Sequence, residues 1–280
     1  MTDDPSSFDS PYTDSPYTDS PSFGVLPGAG HSPVILHVPH SAREIPPSVR
    51  ADIVLGDDEL ARELDHITDA HTAEIAEAAA RAAGVVPWRF VNRLSRLVVD
   101  PERFPDEREE MRAVGMGAVY TRTTHGGVLR SGDVEAGPLV ARYFLPYARA
   151  MTQAVADRLA ATGRAVIIDV HSYPRARLPY ELHGEGPRPP VCLGTDSFHT
   201  PPGLLEAARQ AFGDIGETGL DSPFRGAYVP LEFYGTDPRV EALMVEIRRD
   251  TYMTEPGGLA GPGLERLAAA LARLVDAASG

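Results

Sequence analysis

Apolar runs in this chain end abruptly on imidazoles and acids. Val34-Ile-Leu-His37-Val-Pro-His40-Ser41 and Val166-Ile-Ile-Asp169-Val-His171-Ser172-Tyr173 are short β-branched runs without polar alternation. That pattern predicts strands buried in a parallel sheet, and such sheets place ligand-binding groups just beyond the carboxyl ends of their strands. A third segment, Glu63-Leu-Asp65-His66-Ile-Thr-Asp69, adds carboxylates on a helix predicted from 57 to about 83, with Asp57-Asp58-Glu59 in its first turn and Gly84 as its stop. Further strands are predicted at 85–91, 97–99, 166–170, 191–193 and 243–247. Helices are predicted at 137–161, 204–212 and 264–278. Residues 100–135 show little periodicity, and a loop of that length in a compact domain carries function or moves. Strands alternating with helices give an α/β fold with a mostly parallel central sheet covered on both faces, formed as one catalytic domain over residues 31–280.

Residues 1–30 break the pattern. Asp9-Ser-Pro-Tyr-Thr13 recurs as Asp14-Ser-Pro-Tyr-Thr18 and, in part, as Asp19-Ser-Pro. A Pro, Ser and Asp mixture cannot bury enough apolar area to offset an ordering cost of about 1–2 kcal/mol per residue, so a disordered tail is expected.

Composition narrows the function. The formal charge of -14 opposes nucleic-acid binding and favours a small-molecule partner. The single Cys192 excludes an intramolecular disulfide framework and a four-cysteine zinc site, leaving nitrogen and oxygen donors for any metal. No apolar stretch suits a membrane span or a signal peptide, and cytoplasmic residence is expected.

Two imidazoles and a carboxylate, with one position left for water, are the ligand set of a catalytic zinc site. His40 and His171, at the ends of two predicted strands, and Asp65, on the predicted helix, meet that description. Asp169 points to the same side of its strand as His171 and is placed to orient a ligand's second ring nitrogen. Glu246 reads either as a strand-end functional acid or as the partner of Arg248 or Arg249. Ser41 and Ser172 lack the small-residue elbow of a serine hydrolase, and the glycine pairs lack the strand-loop-helix setting of a phosphate loop.

Pro39-His40-Ser41, Glu63-Leu-Asp65, Ser95-Arg96-Leu-Val-Val-Asp100, Asp169-Val-His171-Ser172, Pro223-Phe-Arg-Gly-Ala-Tyr228 and Glu246-Ile-Arg-Arg249 occur in that order. In motif and order the chain resembles the N-formylglutamate amidohydrolases from about residue 34 to 252. The resemblance implies a three-layer phosphorylase/hydrolase-like fold akin to zinc carboxypeptidases and zinc-dependent hydrolysis of an N-formyl or other N-acyl amino acid. It implies His40, Asp65 and His171 as metal ligands and Glu246 as general base. Arg96 and Arg103, inside the similar segment, become candidates for holding substrate carboxylate, and Tyr228 for covering the site. Departures are Ala42 and Ala227 where the family carries Gly, and Asp100-Pro101-Glu102-Arg103 where it has Asp-Leu-Asn-Arg. The competing readings are a zinc carboxypeptidase or amidase on a peptide-like substrate and a non-catalytic binding module of the same fold.

Overall fold

The computed structural model describes residues 22–131, 135–183 and 185–280. Its seven strands are β1 (Phe23–Leu26), β2 (Val34–Val38), β3 (Trp88–Asn92), β4 (Ala165–Tyr173), β5 (Val191–Gly194), β6 (Thr218–Leu220) and β7 (Val240–Arg248). They form one sheet in the order β1-β3-β2-β4-β7-β5-β6. The middle strands β3, β2, β4 and β7 run parallel. β1 lies antiparallel on β3, and β5 lies antiparallel to β7 while pairing in parallel with β6. The expected α/β architecture is present, with antiparallel additions at the flanks.

Seven α-helices accompany the sheet among the described residues: α1 (Pro47–Arg50), α2 (Asp57–Ile67), α3 (Thr72–Ala82), α4 (Ala136–Leu139), α5 (Leu145–Thr162), α6 (Pro202–Phe212) and α7 (Gly263–Ser279). Alternation along the strands sends Val34, Leu36, Val166, Ile168, Leu243 and Val245 into one core with α3, α6 and α7. Ile35, Ile167 and Ala242 face the other way, onto Tyr147, Met151 and Val155 of α5. Helices on both faces make three layers. None of them is long and apolar enough to cross a membrane.

Four local expectations change. The helix expected from 57 to 83 is broken: Thr68 is extended, and His71 adopts a left-handed φ of 64° before α3 begins. The helix expected from 137 is interrupted by a π-turn at Val140–Phe144 ahead of Pro146, which has no N–H to continue an α-helical ladder. No strand forms at 97–99, where residues 96–98 make a turn. The boundary of the expected 1–30 tail also shifts, because Phe23–Leu26 pairs with β3 and Phe23 stacks on Phe90 with ring centres 5.3 Å apart. The Asp-Ser-Pro repeats themselves lie outside the described residues.

Candidate metal centre and active-site cleft

The break between α2 and α3 builds the site. The Asp69 backbone N–H leaves the helical ladder and donates to the His40 carbonyl at 3.0 Å. Arg249 donates to the freed His66 carbonyl at 2.6 Å and to Asp69 Oδ1 at 3.1 Å. Asp69 is thereby buried beside His40, two residues beyond the end of β2. His171, near the carboxyl end of β4, points to the same place because it shares a strand face with Ile167 and Asp169.

Three atoms converge. His40 Nδ1 and His171 Nδ1 are 3.2 Å apart, Asp69 Oδ2 lies 3.1 Å from His171 Nδ1, and it lies 3.7 Å from His40 Nδ1. Zinc bonds of about 2.0–2.2 Å in tetrahedral geometry set neighbouring donors about 3.3 Å apart, so the spacing fits. The outer ring nitrogens strengthen the case. His40 Nε2 lies 2.9 Å from Asp100 Oδ1, while His171 Nε2 lies 3.0 Å from Asp169 Oδ2 and 3.2 Å from Glu102 Oε2. The Asp100 bond favours the His40 ring proton on Nε2, which leaves its Nδ1 lone pair facing Asp69, whereas the carboxylates near His171 Nε2 lie at ion-pair distance without a hydrogen bond. The three atoms form a group that could hold a metal ion.

The surrounding charge agrees. With Glu246 ionised, Asp69, Asp100, Glu102, Asp169 and Glu246 carry five negative charges against three from Arg96, Arg103 and Arg249. A divalent ion would offset the remainder. Burial disfavours a positive His171, yet Asp169 and Glu102 outweigh it and raise its proton affinity. Burial also opposes ionisation of Asp69, but His171 and His40 hold its carboxyl well below the usual range.

Two further groups, His37-Glu102-Asp169 and His40-Asp100-Glu102, have donor atoms close together. Both are better explained as supports. His37 has both ring nitrogens engaged, Nδ1 with Asp169 at 2.8 Å and Nε2 with the Tyr147 hydroxyl at 2.5 Å. Asp100 accepts from Arg96, the Tyr120 hydroxyl and the Glu102 backbone. Tyr147, His37 and Asp169 thus form a buried chain leading to His171.

Glu246 stands opposite His171 in the β4–β7 register, on the cleft side of the sheet. It is buried, and its Oε2 has no hydrogen-bond partner among the described residues. Burial pushes its carboxyl up to about 7, with His171 pulling down and Asp69 pushing up. Arg249 donates to Asp69 and Ser172, so the ion-pair reading of Glu246 has no contact to support it.

The other expected residues divide. Asp65 does not join the two imidazoles: its carboxylate meets Arg43 at 2.7 Å near the surface, one turn before the helix break, and Asp69 takes its place. Arg96 lines the cleft but is occupied, donating to Asp100 Oδ2 at 3.2 and 2.7 Å. Arg103 also lines it, its Nε reaching Asp100 only at 3.5 Å, an ion pair without a hydrogen bond, and another of its nitrogens reaching Glu109 at 3.6 Å. Tyr228 packs its ring 4.7 Å from that of His37, forming a wall of the site. His199 is structural, its Nδ1 2.7 Å from the Val240 carbonyl. Asp69, Asp100, Glu102 and Arg249 were not singled out from the sequence as site residues. Asp100 and Arg249 lay within quoted motifs, and Thr68, Asp69 and Thr72, turn-forming types inside a helical run, were the available sign of the break.

Known proteins match this chain in family and in fold. The family model described as N-formylglutamate amidohydrolase matches residues 32–253. A crystal structure of N-formylglutamate amidohydrolase from Ralstonia eutropha JMP134 is similar at 22% identity, with a TM-score of 0.77 over 91% of this chain and 96% of that one. A gene product of Agrobacterium tumefaciens is similar at 19% identity, with a TM-score of 0.68 over 92% and 94%. No curated protein matches the sequence. With a matched family model covering most of its length and a cleft that gathers the motif residues, this chain belongs to the N-formylglutamate amidohydrolase family and is an amide hydrolase.

Proposed function

We propose that the protein is a zinc-dependent hydrolase of N-formyl or other N-acyl amino acids. The observation that carries this reading is the convergence of His40 Nδ1, Asp69 Oδ2 and His171 Nδ1 at tetrahedral spacing, with acids behind both rings. A bound zinc ion supplies Lewis acidity toward the amide carbonyl and brings the pKa of its water to about 7.

The chain's own residues do the rest. His40, Asp69 and His171 hold the ion. Asp100 fixes the His40 ring by a hydrogen bond, Asp169 lies at ion-pair distance from the His171 ring, and Arg249 fixes Asp69. Glu246 takes the proton from the attacking water and delivers it to the nitrogen of the departing amine as the C–N bond breaks. Its unpartnered oxygen leaves it free to do both. Arg103 offers a planar guanidinium held only by longer ion pairs to Asp100 and Glu109, at 3.5 and 3.6 Å, the group suited to a substrate carboxylate. Arg96 serves instead to hold Asp100.

The test is release of the free amino acid from a panel of N-formyl and N-acetyl amino acids, measured before and after chelation alongside metal analysis. The expected result is close to one zinc per chain, with turnover lost on stripping and restored by zinc. Full turnover in stripped protein overturns the reading.

A further inference from the structure

Arg130 is 1% exposed and lies outside the lining of the cleft. Unlike Arg96 and Arg249, it meets no carboxylate at ion-pair distance among the described residues. Its guanidinium donates only to main-chain carbonyls, from Nη1 to Tyr120 at 2.6 Å and from Nη2 to Leu97. Its Nε is buried without a partner. Burial pushes its pKa down to about 10, so it still carries its charge at neutral pH. Taking a cation out of water with no acid beside it is costly. An apolar side chain would fill the same space without that cost, so the reason for a guanidinium lies in the two carbonyls.

Those carbonyls belong to the segments that support His40. Leu97 follows Arg96 in the turn at 96–98, and Tyr120 lies in an irregular segment with an isolated bridge to Met116. Arg96 and the Tyr120 hydroxyl both donate to Asp100 Oδ2, at 2.7 and 2.5 Å, and Arg96 Nε reaches the Tyr120 oxygen at 3.0 Å. Asp100 Oδ1 then takes His40 Nε2 at 2.9 Å. The Asp100 N–H joins the two segments by donating to the Ala118 carbonyl at 2.8 Å, and Arg130 adds a clamp from a third segment. A tight turn delivers it there. Thr123 N–H donates to the Gly127 carbonyl, Arg122 pairs antiparallel with Val128, and the Leu129 and Arg130 N–H groups return to the Thr121 carbonyl at 2.9 and 3.4 Å.

Resting on the proposed function, we propose that Arg130 is a positioning residue for the metal centre. It clamps the Leu97 and Tyr120 carbonyls at one spacing, so that Arg96 and Tyr120 hold Asp100 behind His40 and the ring keeps Nδ1 turned toward Asp69 and His171. A planar fork of donors can serve two acceptors at a fixed separation, which neither an ammonium nor a thioether of similar length can do.

The experiment measures zinc affinity by chelator competition on full-length protein, with folding checked by circular dichroism and melting temperature recorded without zinc. Arg130→Met keeps the volume and removes the donors. It should weaken zinc binding by the folded protein roughly 10-fold or more, as loss of a support behind a ligand does. In an Asp100→Ala background the same change should alter affinity by no more than about twofold, because the residue through which it acts is gone. Tyr120→Phe, which keeps the ring, should weaken zinc roughly threefold or more through loss of one hydrogen bond. It also decides the matter should Arg130→Met fail to fold. A lower melting temperature with unchanged zinc affinity in Arg130→Met makes the residue purely structural and overturns the inference. Equal losses in the two backgrounds overturn it as well, as does unchanged affinity in Tyr120→Phe. Absence of zinc binding by the unaltered chain fails the proposed function and this inference together, whereas binding that no variant weakens fails this inference alone.

Discussion

The two faces of the central sheet come from the same strands and could hardly differ more. Toward α3, α6 and α7, alternate residues of β2, β4 and β7 stay apolar along their whole length: Val34, Leu36 and Val38, then Val166, Ile168 and Val170, then Leu243, Val245 and Ile247. Toward α5 the strands begin apolar with Ile35, Ile167 and Ala242 and turn polar at their carboxyl ends with His37, Asp169, His171 and Glu246. A shift of one residue separates a packed core from a buried charged centre. The first face gains stability from area removed from water. The second holds buried charges whose desolvation has to be offset by partners, which makes it the costly side of the molecule.

The sharpest way to break the comparison is at Asp69. Asp69→Ala should leave no measurable zinc and no formate release, since it removes a ligand and strands Arg249. Asp65→Ala should retain both, because its pair with Arg43 is at the surface and contributes about 0–1 kcal/mol. Metal analysis and turnover of the two variants together check this, and the reverse outcome would restore Asp65 as the ligand.

Glu246→Gln should keep zinc and lose roughly 10² to 10⁴ in turnover, the range for a missing general acid-base group. Zinc loss in that variant would make Glu246 a ligand. On the opposite face, Ile168→Ala should cost about 2–5 kcal/mol of stability in a denaturant titration while the folded protein binds zinc as before. A large fall in zinc affinity there would show that the two faces are coupled. The smallest effect is expected at Asp100→Asn, which leaves a shape-matched group beside His40. Zinc affinity, read by chelator competition, should fall roughly 10- to 100-fold.

Much of this was legible because strands report their faces in a period of two. The runs ending at His40, His171 and Glu246 indicated the sheet, the end of it that carries function, and three residues that meet in the cleft. Asp69 was hidden for a physical reason. The apolar period of α2 continues into α3 without a Gly or Pro between them, and what breaks the helix is tertiary: the His40 carbonyl takes the Asp69 N–H, and Arg249 takes the His66 carbonyl. Asp100 and Glu102 sit in an irregular stretch whose partners, Arg96, Tyr120 and His37, follow no periodicity. Strands β1 and β6, four and three residues long, are too short for a pattern to stand out.

The central claim is that one cation sits between His40, Asp69 and His171. Anomalous diffraction at the zinc edge from crystals grown with zinc tests it most directly. A single strong peak is expected, bounded by His40 Nδ1, Asp69 Oδ2 and His171 Nδ1 at about 2.0–2.2 Å from each. A peak at the His37-Glu102-Asp169 group or the His40-Asp100-Glu102 group, or none in the cleft, would contradict it.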